Sequence, residues 1–243
     1  MRIDAAIIGG TGVGERLLAL GGSPVHVPTS RGMVRGRLLD LEGRSVMLAS
    51  RHSAGHKVPP HRVNFAAVAL AMKALGARAV FSTAAVGSLR GDWPRGTFAV
   101  PNDFLDVTGR NATLFDDRVV HTDFSEPFAE SARHRLLEGA AAAGVPVHPS
   151  GVYVCGNGPR YETGFEIDLY QRAGGDVVGM TAATEAIVMR EARVPYACLC
   201  VVTNLAAGME SEPLDHQDVV REMEQAGEQA VKVLTEAVKG LEP

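Results

Sequence analysis

Short runs rich in β-branched and small apolar residues alternate along this chain with longer amphipathic stretches, and no other feature constrains its fold as tightly. Strands that alternate with helices bury both sheet faces under helices, so the pattern predicts an α/β protein. The runs expected as strands cover residues 3–8, 34–39, 45–49, 79–82, 97–100, 151–155, 176–180 and 196–202. Helices are expected to begin after Pro59-Pro60, after Glu126-Pro127, near Thr163, near Thr184 and at Asp215. Proline suits a helix start because its missing N–H would have had no partner there. The last helix is the plainest. Asp215 is placed to cap it, and Val220, Met223, Ala230, Leu234 and Val238 fall near one face. Residues 109–123 lack periodicity and read as a surface excursion. Without an internal repeat, a low-complexity tract or a linker, the 243 residues are expected to form a single domain, 1–243.

Composition narrows the class. Hydrophobic residues make up 46% and charged residues 21%, ordinary proportions for a globular protein. The net charge of −4 and the lack of any basic run argue against a nucleic-acid partner. The apolar runs at 5–8 and 197–202 are far too short to span a bilayer, so no membrane partner is expected. The opening Met-Arg-Ile-Asp followed by a buried-strand pattern does not read as a signal peptide. Three cysteines, Cys155, Cys198 and Cys200, lie in strand-like runs, and an odd count without framework spacing points to a reducing, cytoplasmic setting. Cys198 and Cys200 would share one strand face. With no histidine or second cysteine pair at ligand spacing, small buried hydrophobes are favoured over a metal site.

Several segments carry candidate chemistry. Gly9-Gly10-Thr11-Gly12 follows a strand, so its amides are candidates to cradle an oxyanion, the alternative being a bare turn. A dinucleotide fingerprint does not fit, because the third glycine of the pattern would fall on Glu15 or Leu17. Arg51-His52 ends another strand, and a guanidinium can grip two phosphate oxygens together. His56 stands four residues from His52, but Gly55 and Pro59-Pro60 argue against a helix that would make that spacing a metal site. Residues 82–88, Ser-Thr-Ala-Ala-Val-Gly-Ser, read as a strand opening into a small-residue loop that lets a ligand approach the backbone. Gly158-Pro159-Arg160-Tyr161-Glu162-Thr163 and Thr203-Asn204 together offer an aromatic face, a carboxylate and a carboxamide. Those groups match a 6-oxopurine, which carries N1–H, a carbonyl at C6 and a bare N7. Met180 and Thr181 precede a predicted helix and are candidates for sugar and phosphate respectively. No G-x-S-x-G occurs to support a hydrolase nucleophile.

Taken in order, these segments resemble the trimeric purine nucleoside phosphorylases, a family that includes methylthioadenosine and methylthioinosine phosphorylases. The matching pieces run from Ile7–Gly12 through Ser50-Arg51-His52, Val63-Asn64 and residues 84–89 to 158–163, 178–181 and 202–204. The resemblance implies a twisted mixed β-sheet flanked by helices and a homotrimeric assembly. It implies that Thr11, Arg51, His52, Ala84, Ala85 and Thr181 surround phosphate. Ribose would lie against Met180 and near His56, and the purine by Tyr161, Glu162 and Asn204. His121 would reach the neighbouring subunit's site. Asn204, Glu162 and His52 would carry the catalysis, with phosphate as co-substrate and no metal or organic cofactor. Two residues depart from the family pattern: Ala84 stands where a hydroxyl residue is frequent, and Thr184 where proline is common.

An ionised Glu162 only accepts, so it pairs with N1–H of hypoxanthine or guanine, whereas adenine would turn a lone pair toward it. The expected reaction is phosphorolysis of inosine or guanosine to the free base and ribose 1-phosphate, a purine-salvage step. His216 at the start of the last helix implies a 5′-hydroxyl substrate by the same resemblance. Residues 151–155 and 195–199 are instead similar to methylthioinosine phosphorylase, leaving that substrate, or methylthioadenosine, as the alternative. A reading of another class, a nucleoside-binding protein without turnover, would take Ala84 and Thr184 as signs of decay.

Overall fold

The computed structural model describes residues 2–52, 57–210 and 216–242. Its strands are β1 (Ala5–Gly9), β2 (Ser23–Thr29), β3 (Gly32–Leu41), β4 (Arg44–Ser50), β5 (Ala79–Ser88), β6 (Phe98–Ala99), β7 (Asp103–Asp106), β8 (Val147–His148), β9 (Val152–Cys155), β10 (Val177–Gly179) and β11 (Tyr196–Leu205). The helices are α1 (Val13–Ala19), α2 (Phe65–Ala74), α3 (Glu130–Ala143), α4 (Gly164–Arg172), α5 (Ala182–Ala192) and α6 (His216–Lys239), with a 3₁₀ turn at Pro60–Arg62. The mixed sheet runs β2-β3-β4-β1-β5-β10-β9-β7, and β11 pairs with β5 and β6.

Both faces of the sheet are covered, so the central strands are buried throughout their length. On β11, Cys198, Cys200 and Val202 pack on one side with α2 and α5, while Ala197, Leu199 and Val201 pack on the other with α1, α3 and α6. The two thiols expected on one face do share it, with Sγ atoms 3.9 Å apart, and all three cysteines are free and buried. Among the described residues no group of side chains could hold a metal ion, and no helix is long and apolar enough to cross a membrane.

β5 determines where a ligand can sit. One of its edges pairs with β11 from Val80 to Ser88. Its other edge pairs in parallel with β1 as far as Ser82, then with antiparallel β10 at Gly87 and Ser88. Between those pairings the strand forks away from both neighbours. The carboxyl ends of β1 and β4 approach this fork from one direction and those of β9 and β10 from the other, while β11 runs alongside β5 past it. Ligand crevices form at such strand ends, where backbone groups and loop side chains are unspent.

Several expectations need correction. Residues 82–88 are not a loop: β5 continues through them to Ser88, because its pairing with β11 runs unbroken along that edge. The helix expected near Thr184 is present as α5, which starts at Ala182 with Thr181 at its N-cap. On α6 the buried residue is Val219, with Val220 only partly covered. Asp215 lies outside the described residues. Sequence reading missed α1, β2, β7 and β8. The stretch 109–123 is free of helix and strand, as expected.

Candidate active site

The fork in β5 opens into a cavity of about 390 Å³. Ten of the sequence-predicted residues line it: Thr11, Arg51, His52, Ala84, Ala85, Tyr161, Glu162, Met180, Thr181 and Asn204. Lys57 and Val219 line it too, and neither was singled out from sequence. His121 does not. It borders a separate cavity with Asp123, Glu126 and Arg190. His56 lies outside the described residues, and so does the side chain of His216.

On one side of the cavity stands Arg51, at the carboxyl end of β4 and almost wholly buried. Its Nε and Nη2 donate to the two carboxylate oxygens of Glu185 at 2.6 and 2.9 Å, and Nη1 donates to the Thr83 carbonyl at 2.8 Å. Burial opposes the charge on this guanidinium, but the ion pair with Glu185 outweighs it and the pKa rises. Tyr196 donates its hydroxyl to Glu185 Oε2 at 2.7 Å. Burial, then the Glu185 charge, pushes that phenol well above the usual tyrosine range, so it keeps its proton. Its single hydrogen thus spent, the 2.7 Å contact with Ser82 Oγ must be a donation from serine. Three of the five guanidinium N–H groups are used in this network, and the Nε–Nη2 edge belongs to Glu185. The two-oxygen grip expected from sequence therefore cannot use the Nε–Nη2 edge, and one N–H each on Nη1 and Nη2 is left for it.

The glycine turn is also narrower than its sequence implies. Gly10 N donates to Thr83 Oγ1 at 3.0 Å, while Val13 N and Gly14 N donate to the carbonyls of Thr11 and Gly10. A Cβ on Gly10 would lie 2.5 Å from the Thr83 carbonyl and 2.8 Å from Arg51 Nη1, so only glycine lets this turn close on the arginine. Gly12, at φ 74°, occupies the left-handed region and turns the chain into α1. His52 completes this side. Its Nδ1 lies 2.8 Å from the Val58 carbonyl, which can only accept, so Nδ1 carries the ring proton.

On the opposite side, Thr203 is an extra residue in β11. The register with β5 shifts between Val202 and Asn204, and this bulge sets Asn204 against Gly87. A Cβ on Gly87 would lie 3.1 Å from Asn204 Nδ2 and 3.2 Å from Val178 Cγ1. The Asn204 amide has one allowed orientation. The Leu205 carbonyl 2.7 Å away must face Nδ2, which leaves Oδ1 to accept from the Thr203 hydroxyl at 2.9 Å. One N–H of Nδ2 remains beyond those bonds.

Glu162 sits on the loop between β9 and α4. Partial burial raises its pKa above the ordinary glutamate value. Gly156 makes room for it, since a Cβ there would come within 2.7 Å of Glu162 Oε1. The far end of the loop is anchored by a capping box. Glu166 N donates to Thr163 Oγ1 at 3.2 Å, and Thr163 N donates to Glu166 Oε2 at 2.7 Å. Arg160 pairs with Glu166 at 2.7 Å. Met180 and Thr181 follow β10, and the Thr181 side chain makes no cap to α5. Ala84, which lines the wall, has no side-chain hydroxyl to offer there.

This arrangement, a doubly covered mixed sheet with a guanidinium on one side of a strand fork and a carboxylate and carboxamide on the other, is accompanied by clear kinship. A family model described as the phosphorylase superfamily matches residues 4–239. The 6-oxopurine nucleoside phosphorylase of Pyrococcus furiosus is 38% identical over 96% of this chain and 91% of its own. A Pseudomonas syringae protein named "Probable S-methyl-5′-thioinosine phosphorylase" is 43% identical over 84% of this chain and 85% of its own. Methylthioadenosine phosphorylase from Schistosoma mansoni, solved with adenine, superimposes with a TM-score of 0.92 at 29% identity, covering 98% of this chain and 91% of that one. The chain belongs to the phosphorylase superfamily.

Proposed function

We propose that this protein cleaves the N-glycosidic bond of 6-oxopurine nucleosides with phosphate, releasing hypoxanthine or guanine and ribose 1-phosphate. The observation that carries the reading is the fixed Asn204 amide, which has a donor N–H left to give, in the same cavity as Glu162. A departing purine gains electron density at N7, and a preorganised N–H there stabilises it where charge develops. Glu162, when ionised, accepts from N1–H. Adenine has no hydrogen at N1, so its nucleosides are disfavoured.

Positive charge builds on the sugar as the bond breaks, and phosphate attacks the opposite face. The protein's task is to hold the reactants in line and to offset their charge. Arg51 offers the remaining N–H groups of Nη1 and Nη2 to phosphate, with Thr11, His52, Thr181 and the backbone of Ala84 and Ala85 around it. Glu185 and Tyr196 keep that guanidinium in place. Met180 and Tyr161 flank ribose and base. Neither a metal nor an organic cofactor enters this scheme. We assign the reaction to purine salvage in the cytoplasm, carried out by a homotrimer in which His121 serves a neighbouring site.

The relative rates of phosphorolysis of inosine and adenosine test the base assignment, and equal rates would remove it. Base release without added phosphate would indicate a hydrolase, and nucleoside binding without turnover would indicate a binding protein. A second substrate, S-methyl-5′-thioinosine, is favoured by Val219, an apolar residue of α6 that lines the cavity. Comparing it with inosine, in wild type and in His216→Leu, decides between the two.

A further inference from the structure

Arg110 stands in the irregular stretch after β7 and belongs to none of the groups described above. Its guanidinium lies 5.5 Å from the ring of Phe65, the first residue of α2. Nε donates to Asn157 Oδ1 at 2.9 Å and Nη2 to the Asn157 carbonyl at 2.6 Å. Nη1 donates to the Met180 carbonyl at 3.0 Å and to Thr184 Oγ1 at 2.9 Å. Four of its five N–H groups thus reach uncharged oxygens on two separate segments. Asn157 leads directly into the loop that presents Tyr161 and Glu162. Met180 itself lines the cavity, and its side chain would overlap any Cβ placed on Gly158. Thr184 is buried in the first turn of α5 and supplies the one side-chain hydroxyl in the set.

We infer that Arg110 and Thr184 form a clamp that positions the nucleoside half of the cavity, holding the 157–162 loop and Met180 at a fixed separation while leaving the phosphate half untouched. Both are positioning residues. The inference rests on reading the cavity as a nucleoside site. It gives Thr184 a use that proline could not serve, because proline has no hydroxyl to accept from Nη1. A lysine in place of Arg110 carries the charge but lacks the planar fork that reaches both segments together.

The test is calorimetric titration of the intact protein with hypoxanthine and, separately, with inorganic phosphate. Arg110→Met is expected to weaken hypoxanthine binding by about tenfold, the loss of a charge-assisted hydrogen bond, and to leave phosphate binding within about twofold. Thr184→Val should weaken hypoxanthine by about threefold, Thr184→Ser should match wild type, and the double variant should bind no worse than Arg110→Met alone. Equal weakening of both ligands, unchanged hypoxanthine affinity, or additive losses in the double variant would overturn the clamp. Should Arg110→Met not fold, Thr184→Val against Thr184→Ser decides alone: a loss confined to valine supports the clamp, and no difference ends it. A wild-type protein that fails to bind hypoxanthine instead removes the nucleoside reading itself, so the two failures are distinct.

Discussion

Asn204 and Glu162 line the same cavity with opposite hydrogen-bonding characters, and the proposed reaction gives each a separate task on the base. Asn204→Ala deletes the N–H available to N7. Turnover of inosine is expected to fall by about 10²–10³ with hypoxanthine binding less affected, as for other groups that act on developing charge; steady-state kinetics beside base titration checks this. Glu162 adds a pH dependence with a definite sign. Its carboxyl must be ionised to accept from N1–H, and burial raises its pKa. Hypoxanthine affinity should therefore be full above that pKa and decline as pH falls through it, at a pH above the ordinary glutamate range. In Glu162→Gln the decline should vanish. These residues were legible in the sequence because their chemistry is carried by type: a carboxylate and a carboxamide remain so in any fold. What could not be read was the orientation of Asn204, which depends on a bulge and on the Thr203 hydroxyl beside it.

Between elements, the tie from β4 to α5 is the most consequential contact. Arg51 and Glu185 are 134 positions apart and both side chains are nearly sealed from solvent. Removing one member of a buried pair leaves a charge uncompensated, typically at a cost of about 3–5 kcal/mol. Glu185→Gln should thus lower the melting temperature. Phosphate, arriving as a replacement counter-ion, should then raise it by more than it does in wild type. Differential scanning fluorimetry with and without phosphate measures both changes. Sequence pattern cannot reveal such a pair, because nothing local marks two residues that meet only when the sheet forms. The missed strand β2 has a different cause. Its run contains Pro24 and Pro28, which count against a strand, but β2 lies at the sheet's edge, where a missing N–H costs no ladder bond. α1 was missed because seven residues give too little periodicity to register. The extension of β5 was missed because small residues resemble a loop until neighbouring strands are seen to pack against them.

For the whole molecule, the position of His121 bears on assembly. It lines a different cavity from Asn204, so any part it takes in the reaction must come through another copy of the chain. Co-expressed His121→Ala and Asn204→Ala chains should then regain activity that neither shows alone, since mixed assemblies contain some sites with both residues intact. Recovery of none, from assemblies shown by mass to be mixed, would assign His121 a role outside catalysis. The strand–helix alternation made the general architecture readable from sequence, and the family resemblance did so for ten lining residues, because motifs matched in order along the chain stand in for proximity. The fork in β5 was not readable, although it governs the geometry. In the proposed reaction a single strand carries the anchorage of the anion at one end and that of the heterocycle at the other. On that proposal any flexing of the strand alters the gap between nucleophile and anomeric carbon, so its stiffness is itself a quantity on which selection for rate can act.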